Sequence, residues 1–145
     1  MDGASCYDTL ILSRSRKPEF SGEAEGETST AQGNNPMCGD RVRVSLRLSC
    51  EKVEAARHMT RGCALCMASA DLMAETITGR SRADALELGQ RFTDMLEDTS
   101  SRVDAAGEDT LPPAFRAFLP LRTHRSRLRC ATLPWTALGE ALDHD

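Results

Sequence analysis

Between Arg41 and Leu48 the chain alternates strictly, Val42, Val44, Leu46 and Leu48 against Arg41, Arg43, Ser45 and Arg47. That period of two predicts a strand with one buried face. A second strand is expected near Val53 to Met59, after a turn around Ser49 to Lys52, making an antiparallel hairpin. A short strand near Thr28 to Gln32 would lie at an edge. Elsewhere the period is helical. Tyr7, Leu10, Ile11 and Arg14 predict a short amphipathic helix over residues 4–16, ended by Lys17-Pro18. From Ala64 the residues Leu65, Leu72, Met73, Thr76 and Ile77 share a helical face, with Gly79 as the stop. Ser81-Arg82-Ala83-Asp84 resembles a capping box with Asp in place of Glu, opening a helix whose buried stripe is Ala85, Leu88, Phe92 and Met95. A helical turn over 114–119 is expected to break at Pro120, and an Arg-rich strip leads to Cys130. A last helix is predicted over 131–142, with Pro134 in its first turn.

Two stretches carry no period. Residues 19–34 hold Glu19, Glu23, Glu25 and Glu27 among Gly, Ser and Thr, and read as an acidic, solvated loop. Residues 98–113 read as an inserted polar loop ending in Pro112-Pro113. The pattern as a whole predicts an α+β fold: a small antiparallel sheet of about three strands packed with helices, in a single domain over 1–145. A length of 145 residues suits one core. The net charge of −4 gives no general reason to bind nucleic acid. No segment approaches the roughly 20 apolar residues of a membrane span, and the N-terminus has no export pattern. A soluble cytoplasmic protein is therefore expected, and its six cysteines read as thiols or metal ligands rather than a disulfide framework.

The chemistry concentrates in Asn35-Pro36-Met37-Cys38-Gly39-Asp40, a turn that presents a thiol and a carboxylate two residues apart. Cys63 follows Gly62, and Cys130 stands before the apolar tail. Cys38, Asp40, Cys63 and Cys130 have the donor types and number of a four-coordinate zinc or iron-sulfur site. Such a site is closed, which argues against zinc hydrolase chemistry. Arg129 cannot be a ligand, because a guanidinium offers no usable lone pair. With Arg122, Arg125 and Arg127 it makes an electropositive approach to Cys130 that suits an acidic partner, or a solvated basic loop. Cys63-Ala64-Leu65-Cys66 forms a C-x-x-C that suggests redox chemistry or an alternative ligand; a small tolerated thiol in a first helical turn is the simpler reading of Cys66. Cys6 and Cys50 lack partners nearby in sequence. His58, His124 and His144 are the remaining ligand candidates.

Several segments together carry a family resemblance: the Tyr7 to Pro18 helix, Asn34-Asn35-Pro36-Met37-Cys38-Gly39-Asp40-Arg41, Gly62-Cys63-Ala64-Leu65 through Met67-Ala68-Ser69-Ala70-Asp71-Leu72-Met73, and Cys130-Ala131-Thr132-Leu133-Pro134-Trp135. The chain resembles the SufU branch of the IscU/NifU-type iron-sulfur cluster assembly proteins. Scaffold-type IscU proteins have a His just before the last Cys and a shorter stretch between the second and third Cys. Arg129 and the longer stretch here both resemble SufU, whereas Cys66 stands where the family usually has Ser. The resemblance implies zinc held by Cys38, Asp40, Cys63 and Cys130. It implies sulfur acceptance from a pyridoxal-phosphate cysteine desulfurase of the SufS type, and onward transfer as persulfide to a scaffold complex of the SufBCD type. Cys38 is the expected acceptor, because its place in the Pro36 to Gly39 turn makes it the ligand most able to swing away, whereas Cys63 is tied to a helix start and Cys130 precedes the last helix. The alternative is a scaffold holding iron or a [2Fe-2S] cluster; a purely structural zinc module is the third class.

Overall fold

The computed structural model describes residues 9–35, 39–97 and 112–143. The alternation at 41–48 forms the middle strand of a three-stranded antiparallel sheet of order β1-β2-β3, with β1 at Ser29–Asn35, β2 at Asp40–Ser49 and β3 at Lys52–Arg61. Val42, Val44, Leu46, Leu48, Val53 and Ala56 fill the core face. The β2–β3 hairpin turns through Cys50 and Glu51 at φ of 51° and 66°, the left-handed pair that matches strand twist. β1 runs further than its sequence suggests, to Asn35, which pairs with Asp40 at the start of β2.

Helix α1 spans Thr9–Arg16; the earlier part of the predicted helix lies outside the described residues. α2 (Ala64–Ile77) is buried on nearly every side, and α3 (Arg82–Glu97) begins as expected, with the Asp84 N–H donating to Ser81 Oγ at 3.0 Å. The predicted loop at 98–113 falls almost wholly outside the described residues. Two expectations are corrected after it. The segment Pro113–Thr123 is a 3-10 helix that continues through Pro120. Its period of three places Phe115, Phe118 and Leu121 on one buried face, and that packing holds it past the proline. The final helix, α4 (Leu128–Asp143), follows a second short 3-10 piece and starts before Ala131 because Leu128 is itself buried. Cys130 is therefore inside the first turn, and Pro134 lies beyond it. α2 and α4 pack on the core face of the sheet, tied by Ser69 Oγ donating to Ala131 O at 2.6 Å. Phe92 packs against Phe115, Phe118 and Trp135 at centroid distances of 5.0, 5.5 and 5.7 Å, joining α3, the 3-10 helix and α4. No described helix is long and apolar enough to cross a membrane.

The acidic stretch is not a solvated loop. Residues 19–28 form a strap folded across the outer face of the sheet. Ala24 N–H donates to Ser45 Oγ (2.8 Å), Glu23 and Glu27 pair with Arg43 (3.1 and 3.6 Å), and the Arg57 guanidinium stacks over Phe20 at 5.3 Å. Gly22 N–H donates to His58 O and His58 N–H to Phe20 O, adding a short parallel bridge at the edge of β3. The arginines that alternate along β2 and β3 supply the opposite charge that draws this stretch down.

Asp71, wholly buried on α2, anchors the strap. Its Oδ1 accepts from Phe20 N–H (2.7 Å) and His58 Nε2 (2.9 Å), its Oδ2 from Glu19 N–H (3.0 Å) and the Arg14 guanidinium (2.7 Å). His58 Nδ1 lies 2.7 Å from Thr60 Oγ1. Burial alone would raise the Asp71 pKa, but the donors prevail and hold it at about 2 against an ordinary 3.8. A carboxyl depressed in the folded state contributes stability that is complete above its unfolded value and is lost as pH falls toward 2. Asp71→Asn is expected to cost about 3 kcal/mol at neutral pH by removing the charge that Arg14 and His58 share, although Arg14 keeps its pair with Glu75. In urea unfolding of the metal-free protein, the gap from wild type should narrow as pH drops from about 4 to about 2. An equal gap at both ends would refute the network.

Candidate metal centre

Asp40 opens β2, Cys63 is the N-cap of α2 and Cys130 sits in the first turn of α4. One donor atom from each lies within 4.8 Å of the others. Asp40 and Cys130 are each 2 % exposed, and Cys63 is half-buried. Asp40 Oδ1 accepts the Cys63 N–H at 3.3 Å, whereas Oδ2 is buried and has no hydrogen-bond partner among the described residues. A buried carboxylate oxygen left bare is costly. Such an oxygen suits a cation.

Two glycines permit this approach. Gly39 takes φ of +77° and donates its N–H to Asn35 O at 2.7 Å, closing the hairpin just before Asp40. A Cβ on Gly62 would collide with the Asp40 carboxylate, whose Cγ would lie at 2.9 Å, so only glycine lets the β3–α2 junction pass. The role of Gly62 was not evident from its sequence position; its one signal was that it directly precedes Cys63.

The two thiols divide one proton. Cys63 is lowered from 9.0 to about 6, chiefly because the Cys130 thiol donates to it; burial opposes this, backbone N–H groups of Cys66 and Leu65 assist, and the Asp40 charge works against it. Cys130 is pushed far up by that same bond to Cys63, by its burial and by Asp40. The helix N-terminus thus faces a thiolate and keeps the second thiol as its hydrogen-bond donor. A metal that displaces the shared proton finds two thiolates and a bare carboxylate oxygen, a donor set that fits a borderline divalent ion such as zinc. The carboxylate is the harder donor and makes such a site more exchangeable than thiolates alone.

Of the predicted set, Asp40, Cys63 and Cys130 come together, while Cys38 lies outside the described residues. Cys66 is buried and serves the centre through its backbone N–H. Arg127 and Arg129 are exposed, Arg122 is half-exposed, and the Arg125 side chain is outside the described residues. His58 belongs to the Asp71 network. His124 is exposed, its Nδ1 3.1 Å from Thr123 Oγ1, and Cys50 is exposed at the hairpin tip. Cys6 and His144 lie outside the described residues.

Comparison with known proteins adds to this geometry. The profile described as the NifU-like N terminal domain matches residues 6–120, stopping short of Cys130. The zinc-dependent sulfurtransferase SufU of Bacillus subtilis is 30 % identical over 138 residues, 94 % of this chain and 88 % of that protein. The iron-sulfur cluster assembly scaffold protein IscU of Streptococcus pyogenes is 28 % identical over 137 residues, covering 94 % and 82 %. A candidate cluster assembly scaffold protein for the SUF system from Fervidobacterium islandicum superposes with a TM-score of 0.85 at 27 % identity, covering 96 % of this chain and 98 % of the other.

In metal-free protein, iodoacetamide labelling followed by peptide mass spectrometry should find Cys63 reacting with a pH midpoint near 6, while Cys130 resists at neutral pH. Cys130→Ala removes the donor and should move the Cys63 midpoint up toward 9.0. Equal labelling of both thiols at pH 7 would contradict the shared proton.

Proposed function

Because the chain belongs to the NifU-like N terminal domain family, whose relatives include cluster assembly scaffold proteins and a zinc-dependent sulfurtransferase, we propose that it is a zinc-dependent sulfur acceptor in iron-sulfur cluster assembly. In this reading it takes persulfide sulfur from a pyridoxal-phosphate cysteine desulfurase and passes it to a cluster scaffold in the cytoplasm. The buried Asp40 Oδ2, without a hydrogen-bond partner among the described residues and beside Cys63 and Cys130, is the observation that carries it.

Cys38, two residues before Asp40 in the chain, is the fourth ligand and the acceptor in this proposal. Zinc held by Cys38, Asp40, Cys63 and Cys130 would supply the charge that keeps the ligand cysteines ionised at neutral pH. The Cys38 thiolate attacks the outer sulfur of the desulfurase persulfide; a sulfur–sulfur bond breaks, its electron pair leaves on the desulfurase cysteine, and Cys38 becomes the persulfide with no net redox change. Attack by the next acceptor on the outer sulfur returns Cys38 to a thiolate. Cys63 and Cys130 hold position, one on a helix N-cap and the other within α4, and Cys66 supports Cys63 through its backbone. A second reading, a scaffold for iron or a [2Fe-2S] cluster, is favoured by the relatives named as scaffolds and by a thiolate set that also suits iron.

Zinc-loaded protein incubated with a cysteine desulfurase and cysteine should gain one sulfur atom, located by peptide mass spectrometry on Cys38. Cys38→Ser should abolish that gain, and Cys66→Ser should leave it nearly unchanged. Brown, cluster-bearing protein after anaerobic preparation would favour the scaffold, and sulfur on Cys66 or Cys130 of the wild type would overturn the assignment to Cys38.

A further inference from the structure

The acidic strap reveals what the outer face of the sheet binds. β2 and β3 set their outward residues in rows: Ser45 opposite Arg57, Arg43 opposite Met59, Arg41 opposite Arg61. The strap attends to the first two rows. Arg57 stacks on Phe20 and donates to Glu19 O at 3.2 Å, and Arg43 pairs with Glu23 and Glu27. It does not reach the third. Arg41 and Arg61 are exposed, and among the described residues neither has a carboxylate or other hydrogen-bond partner. Like charges directly opposite on antiparallel strands repel, so this pair costs the sheet stability.

The surroundings are those of an unfilled binding face. Met59, beside the pair, is 49 % exposed, the most exposed large apolar side chain among the described residues. A depression of about 610 Å³ runs from Ser21 and Gly22 in the strap past Met59 to Arg41 and Arg61. Arg41 and Gln32 also line a second hollow, which Asp40 borders.

We propose that this face docks an acidic, extended segment of the protein that donates sulfur, with carboxylates on Arg41 and Arg61 and an apolar side chain on Met59. The strap is the intramolecular precedent for such an occupant: an acidic segment whose glutamates meet the arginines of the same strands. With a net charge of −4 the chain as a whole does not attract an acidic partner, so a local cationic pair beside the site gives the encounter its orientation. Two arginines neutralise too few phosphates to make the face a nucleic-acid site. The proposal rests on the reading of the protein as a sulfur acceptor.

The test is sulfur acceptance from a cysteine desulfurase as a function of this protein's concentration, at low and high salt. Arg41→Glu combined with Arg61→Glu should raise the half-saturating concentration about tenfold or more at low salt, with the rate at saturation moving far less. The difference should shrink above about 0.5 M salt. Arg41→Gln with Arg61→Gln relieves the cross-strand repulsion, should hold or raise the thermal midpoint, and should give a smaller rise. Arg91→Gln on α3 serves as the control for loss of a positive charge elsewhere. Wild-type half-saturation in zinc-loaded, folded Arg41/Arg61 variants would overturn the docking face alone. A wild-type protein that binds zinc yet accepts no sulfur would overturn the acceptor reading and this inference with it.

Discussion

A buried carboxylate oxygen that no donor among the described residues satisfies is the constraint on which the candidate metal centre depends. Asp40 is 2 % exposed, its Oδ1 is held by the Cys63 N–H, and its Oδ2 meets no donor among the described residues. Next to it the Cys63 thiol, lowered to about 6, is a thiolate at neutral pH. Two adjacent anions in a desolvated corner are destabilising unless a cation joins them. Because the donors come from a strand start, a strand–helix junction and a helix start, a metal that satisfied them would also join three parts of the fold, and its binding would be coupled to folding.

The remainder of the structure keeps those parts in place. α2 presents Cys63 at its N-terminus, where backbone N–H groups favour the thiolate, and the Ser69 to Ala131 hydrogen bond fixes α2 against the start of α4, which bears Cys130. At Asp71 the same helix gathers α1, the acidic strap and His58 of β3. The two buried aspartates follow opposite logic. Asp71 is saturated with donors and serves the fold; Asp40 lacks them at Oδ2 among the described residues and is left open to a ligand. That contrast separates architecture from function more sharply than burial does, since both side chains are almost fully enclosed.

Much of this was legible in the chain. Strict alternation gave β2, the turn at Ser49 to Lys52 gave its hairpin partner β3, the Ser81 cap gave α3, and the punctuated Cys63 and Cys130 with Asp40 pointed to the group that the structure brings together, Cys38 lying outside the described residues. What escaped has identifiable causes. The strap looked like a solvated loop because four glutamates read as polar, yet its partners are arginines on strands later in the chain, and local composition carries no record of that pairing. Pro120 looked like a breaker, but Phe115, Phe118 and Leu121 repeat every three residues, a 3-10 period that an α-helical template does not register. His58 looked like a spare ligand because the Asp71 that claims it stands on another element. Gly62 is explained only by the carboxylate lying against it.

Zinc K-edge X-ray absorption on the protein as purified tests the central claim most directly. Three sulfurs at roughly 2.3 Å and one oxygen at about 2.0 to 2.2 Å are expected, and Asp40→Ala should change the oxygen contribution while leaving the sulfurs. A first shell of oxygen and nitrogen alone, or a spectrum unaltered by Asp40→Ala, would contradict the centre described here.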